Sequence, residues 1–218
     1  MSENGLQQTY EYKLVGGDIQ QKVADISDVI FKMDTDRLTE RICGELKYAA
    51  NRLEAVRLPD APPASRRAAA LDEIERAGRE TEQMISLLSS ELTEIYKADA
   101  AYSCLRGVLE DCSKRLSYLS AQLGSGEDKS SVTLRHISDL RMSVTVAHRY
   151  ITMADGRREY LRFLVSGINS VLVNTVPLWR GALISASENP GRENMSRLGT
   201  LKEAMTTAVR DILLEASK

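Results

Sequence analysis

Large rings are scarce in this chain: one Trp, two Phe and eight Tyr in 218 residues. That excludes a globule built around aromatic clusters and favours helices whose seams are Ala, Leu, Ile and Val. Cysteine is scarce as well. Cys43, Cys104 and Cys112 are odd in number and irregular in spacing, which excludes a disulfide framework. On one helix Cys104 and Cys112 stand roughly 12 Å apart, too far to bridge, so a reducing cytoplasm is the expected setting. An excess of one charge is missing. The 29 Lys and Arg face 31 Asp and Glu, leaving a net charge of −2, so no nucleic-acid partner is expected. No stretch approaches the ~18 apolar residues of a membrane span. The opening "MSENGLQQTYEYK" has no apolar core, so no signal peptide is expected. Phosphate-binding glycine loops and G-x-S-x-G are missing too.

What is present is a three-four rhythm of apolar residues. Ile19, Val23, Ile26, Ile30 and Met33 form one amphipathic face, and Leu38, Ile42, Leu46, Ala49, Leu53 and Val56 form a second. Between them "MDTD" supplies Asp34 or Thr35 as a cap. "LPDAPPAS" is a connector, since its prolines lack donors and push preceding residues out of helical geometry. The rhythm resumes at Leu71, Ile74, Gly78, Thr81, Ile85, Leu88, Leu92 and Ile95, then Ala98, Tyr102, Leu105, Leu109, Cys112, Leu116, Leu119 and Leu123. Two steps of three fall together at Leu92, Ile95 and Ala98. Such a stammer overwinds a coiled packing and predicts a bend or break near "YKADAAY".

"GSGEDKSS" reads as a tight turn with serine available as a cap. Beyond it the seam runs Ile137, Leu140, Val144, Ala147, Ile151, Ala154, Arg158, Leu161, Val165, Ile168, Leu172, Thr175, Trp179, Ala182 and Ala186. Only Arg158 and Thr175 are polar in that series. "SENPGRE" is another turn, followed by a last helix. The predicted fold is all-α: a single elongated domain, 1–218, built on a long antiparallel hairpin with shorter helices packed along it. Its parts are a helical pair over 1–57, long helices over 65–123 and 131–187, the second kinked near 177, and a C-terminal helix over 192–217.

Few residues point to chemistry. His136 and His148 are twelve apart and do not share a helical face. His136 with Asp139 is a metal pair only, too few ligands for a site. The acids of "LDEIERAGRETE" alternate with arginine as on a solvated, salt-bridged face. Cys112 falls on the seam and reads as a small buried apolar residue. A thiol route to soft oxyanions through Cys43, Cys104 and Cys112 needs a lowered thiol pKa and access. Arg158, with Arg157 and Arg162 beside it, either fixes helix register or marks an anion contact; its long stem can pack while its head reaches water.

Several stretches resemble the toxic-anion-resistance, or tellurite-resistance, family. Asp139, Leu140 and Arg141 match that family's Asp-Leu-Arg motif, with Met142 where leucine is usual. Pro177, Leu178 and Trp179 match its Pro-Leu-Trp motif after Thr175. "VGGDIQQKVADISDVI" and "EIYKADAAYSCLRGVLEDCSKRL" resemble its opening and middle segments. Thr152 and Asp155 depart from it, standing where many members carry Arg and Gln. The resemblance implies an all-helical cytoplasmic bacterial protein tied to resistance against tellurite and other toxic agents, with no catalytic residues to carry over.

The expected function is therefore a non-enzymatic helical scaffold without cofactor. Its expected partners are other proteins of a resistance or stress system, and a homo-oligomer is compatible with exposed seam residues. The alternative is a peripheral membrane module binding anionic lipid through Arg157, Arg158 and Arg162. A second alternative is the thiol route. Pro177 should crowd the carbonyl of Val173 and bend its helix, with the Thr175 hydroxyl free to serve the released backbone groups. Trp179 would then brace the bend, or the motif would form a hinge or a docking site for another protein.

Overall fold

A computed structural model describes residues 16–33, 35–58, 67–127 and 130–216. The helices are α1 (Gly17–Lys32), α2 (Thr35–Glu54), α3 (Arg67–Ser125), α4 (Ser131–Ser170), α5 (Val176–Glu188) and α6 (Arg192–Ala216). A π-helical turn, Val171–Thr175, joins α4 to α5. Among the described residues there is no strand, and the protein is an all-α bundle. Asp34 and the proline connector lie outside the described residues. Contacts gather the chain into two compact units, Met1–Asp34 with Ala98–Tyr160 and Thr35–Lys97 with Leu161–Lys218.

In the first unit α1 packs on the facing parts of α3 and α4. Val23, Ile26 and Ile30 of α1 are buried, as are Tyr102, Leu109 and Leu116 of α3 and Leu140, Ala147 and Ala154 of α4. Each buried Val, Ile or Leu among them contributes about 1.5–3 kcal/mol by leaving water. Cross-helix pairs show that α3 and α4 run antiparallel. Arg106 meets Asp155 at 2.6 Å, Ser113 meets His148 at 3.1 Å, and Arg141 reaches Ser120. The direction of α1 is fixed at both ends. Gly16 lies against Leu119 and Leu140, while the Tyr102 hydroxyl donates to the Met33 carbonyl at 3.3 Å. Ser130 caps α4, its Oγ accepting from the Thr133 amide at 3.2 Å.

In the second unit α2 lies antiparallel to the first part of α3. Arg41 binds Glu91 at 2.8 Å and Arg52 binds Glu80 at 2.6 Å. The last part of α4 approaches α6 closely enough that a Cβ on Gly167 would sit 2.9 Å from Ile212 Cγ1. Asn194 closes the turn before α6, its amide donating to the carbonyls of Ser185 and Asn189. Lys202 of α6 donates from Nζ to the carbonyls of Glu54 at 3.0 Å and Val56 at 2.6 Å. Those carbonyls belong to the end of α2 and the residues just past it, where unpaired acceptors and the helix dipole favour a cation. Lys202→Met keeps the stem and removes the donors. It is expected to lower stability by about 1 kcal/mol and to speed amide exchange in the last turn of α2, read by hydrogen exchange.

The predicted break near residue 98 is corrected: α3 is continuous from Arg67 to Ser125. The reason lies in which residue occupies the seam. The buried series is Ala70, Ile74, Ala77, Thr81, Met84, Leu88, Glu91 and Ile95, whereas Leu71, Gly78, Ile85 and Leu92 are only half-buried. With Glu91 inside rather than Leu92, the steps through Leu88, Glu91, Ile95, Ala98 and Tyr102 alternate by three and four. No stammer arises. Glu91 tolerates its place because Arg41 supplies the opposite charge.

Candidate functional site

The Pro-Leu-Trp segment belongs to the second unit. In this unit the buried seam runs through Leu161, Leu164 and Ile168 of α4 to Val171 of the π turn, and it resumes at Val176, Trp179, Ala182 and Ala186 of α5. The step from Val171 to Val176 is five, one more than an α-helical seam allows. The π turn supplies the extra residue, with the Val176 amide donating to the Val171 carbonyl. Leu172 and Thr175, expected on the seam, are half-buried. Pro177 follows in the first turn of α5, where a missing donor costs little. Where a bend was expected, the helix carries a widened turn ahead of the proline. Thr175 makes no side-chain capping bond there, which corrects the role expected of its hydroxyl.

Trp179 is fully buried. Its Nε1–H donates to Thr81 Oγ1 at 2.6 Å, and the Thr81 hydroxyl donates in turn to the Ala77 carbonyl at 2.7 Å. Arg180 grips Glu82 through both carboxylate oxygens at 2.6 Å, a bidentate pair that fixes the same register. The motif therefore divides. Trp179 points into the core, whereas Pro177 and Leu178 face outward.

That outward face carries no charge from Phe163 to Trp179. Val173 is 68% exposed, Leu178 57% and Ile184 60%. Beside Ile184 a groove of about 530 Å³ runs between α3 and α5, lined by Ile74, Gly78, Glu82 and Leu183 among others. Helix Ser131–Glu188 is long and apolar enough to cross a membrane by length and composition, with 28% of its most apolar window buried. This corrects the expectation that no stretch approaches a membrane span. The uncharged interval was legible; the outward exposure of Val173, Leu178 and Ile184 was not, because it depends on the extra residue in the π turn.

The remaining candidates are placed elsewhere. Asp139 is exposed, and the Arg141 Nε reaches Ser120 Oγ at 3.4 Å. Arg158, 16% exposed, donates to Asp99 at 2.9 Å, so its seam position is a register pair and its charge is met from within the protein. Asp155 holds Arg106. Arg157 is half-buried and belongs with Arg158 to the first unit, while Arg162 is exposed and belongs to the second. Burial pushes the Cys43 and Cys112 thiols up, away from the reactive thiolate; Cys104 is exposed. Among the described residues no group of three or more His, Cys, Asp or Glu is placed to hold a metal ion, and His136 and Asp139 gain no third ligand. No family model, no curated protein and no solved structure matches the chain.

Proposed function

We propose that the protein is a non-enzymatic helical scaffold that docks other proteins of a toxic-anion or stress resistance system through the uncharged outer face that runs from Phe163 through the π turn to Leu178. The link to resistance rests on the Asp139-Leu140-Arg141 and Pro177-Leu178-Trp179 motifs. The docking reading rests on one observation: Val173 and Leu178 stand exposed on the charge-free stretch between Phe163 and Trp179, whose inner side is anchored by Trp179. Contiguous exposed apolar surface marks interaction sites, and a rigid helix loses little entropy when it docks.

The test is affinity capture from tellurite-exposed cells with the native protein and a Val173→Glu/Leu178→Glu double variant. The native chain is expected to retain a reproducible set of proteins that the folded double variant loses, together with the strain's tolerance. Equal capture by both, or none by either, removes the reading. Loss of a concentration-dependent dimer in the variant identifies a second copy as the occupant.

A second reading, peripheral membrane contact, is favoured by the apolar window in Ser131–Glu188. It shifts the contact from the arginine cluster to the apolar face, since Arg158 is already paired. Sedimentation with vesicles of phosphatidylcholine and phosphatidylglycerol should then be salt-insensitive and abolished by the same double variant. Salt-sensitive binding would return the contact to Arg157 and Arg162.

A further inference from the structure

Along the α3–α4 contact of the first unit, two hydroxyl residues of α3 face two polar residues of α4. Ser113 meets His148, Ser120 meets Arg141, and Ser117 lies between them near Val144 and Thr145. Ser117, Ser120, Arg141, Val144 and Thr145 line a recess of about 350 Å³. The lining contains no carboxylate. That sets Arg141 apart from Arg106, Arg115 and Arg158 of the same unit, which are matched to Asp155, Asp111 and Asp99.

The hydrogen bonds at the recess leave donors in surplus. Ser143, Thr145 and Thr152 on α4 each send the hydroxyl back to the carbonyl four residues earlier. Among the described residues, Ser117 and Ser120 do not. Ser120 is buried, and its oxygen accepts from Arg141 Nε at 3.4 Å, which leaves its own hydrogen unspent. A guanidinium has five donors in a rigid fork suited to a flat or tetrahedral oxyanion, and this one uses a single long bond within the protein. Arg141 supplies the positive charge at the recess. Ser117 and Arg141 are exposed, and their donors, beside the buried Ser120 hydroxyl, suit an anionic oxygen ligand that enters from solvent.

We propose that this recess is a binding site for a phosphate-like oxyanion, with the Arg141 guanidinium as its charge partner and the Ser117 and Ser120 hydroxyls as orienting donors. The same chemistry suits a free anion and the exposed phosphate of a lipid headgroup. None of these residues belongs to the unit that carries the docking face, so the two readings stand or fall separately.

The experiment titrates the full chain with inorganic phosphate, following amide shifts by NMR and heat by calorimetry. A parallel arm uses phosphatidylcholine vesicles with and without phosphatidic acid. Saturable binding is expected, with shifts centred on Ser117, Ser120, Arg141 and Thr145. Arg141→Ala should weaken it at least about tenfold and Ser120→Ala by less, while Arg141→Lys retains part of it. Arg115→Ala, which removes an exposed paired arginine of the same unit, should leave it unchanged. Arg141-dependent binding to phosphatidic acid vesicles but not to inorganic phosphate assigns the oxyanion to a headgroup. Binding to neither probe, or equal loss in Arg141→Ala and Arg115→Ala, overturns the proposal.

Discussion

Trp179→Ala is expected to lower stability by about 3–5 kcal/mol, the range for emptying a large aromatic site in a packed interior. The indole is fully buried, and its N–H begins a relay through Thr81 Oγ1 to the Ala77 carbonyl. Thr81→Val keeps the volume but strands the indole N–H, an uncompensated buried donor worth about 1–3 kcal/mol. Trp179→Phe leaves Thr81 still bonded to Ala77 and should fall below the alanine variant. Chemical denaturation followed by far-ultraviolet circular dichroism ranks the three. Because Trp179 is the only tryptophan, its emission reports on this site alone, blue-shifted in the native protein and in Thr81→Val. A loss below about 1 kcal/mol for Trp179→Ala would mean the cavity refills, and the anchoring role assigned to the indole would fail.

The second large effect lies at Gly16 in the other unit. Its φ of +86° is left-handed, and it holds the position just before α1. A side chain there meets two obstacles. The backbone conformation costs an L-residue about 1–2 kcal/mol. A Cβ would also stand 3.1 Å from both Leu119 Cδ1 and Leu140 Cδ2, and overpacking of that kind costs about 1–3 kcal/mol. Gly16→Val is therefore expected to cost about 2–5 kcal/mol. Gly17 is the internal control. A Cβ there has nothing within 4 Å and the residue already lies in helix α1, so Gly17→Ala should be neutral or stabilise by about 0.4–1 kcal/mol. Thermal unfolding of the pair separates the two glycines; similar midpoints would contradict the packing assigned to Gly16.

Helices and turns were legible because their signals are local. The three-four rhythm marked the helices up to Ala186, the turn at 187–193 marked the start of the last one, and Ser130 caps α4 as the turn chemistry suggested. The choice of buried residue was less so. Apolarity pointed to Leu92, but Glu91 is inside because Arg41 on another helix neutralises it, a partner 50 positions away. The π turn was hidden for a related reason. A seam through Leu172 and Thr175 satisfies a strict heptad on paper, whereas the fold buries Val171 and Val176 and inserts a residue between them. Trp179 was placed on the seam correctly, but its hydrogen-bond partner Thr81 lies 98 positions distant. The division into two units was invisible, since unbroken helices contribute to both.

The widened turn also sets where the chain can change its length. Deleting one residue between Val171 and Thr175 would restore ordinary helical phase, and every side chain from Val176 onward would keep its heading. The same deletion elsewhere in α4 would swing those side chains round by about 100° and pull Trp179 away from its hydroxyl acceptor. Pro177 opposes the shortening, because in unbroken α-helix its ring meets the carbonyl four residues back. The spare residue and the proline are thus coupled: a chain that lost one without the other would be left with a strained helix or one turned out of phase.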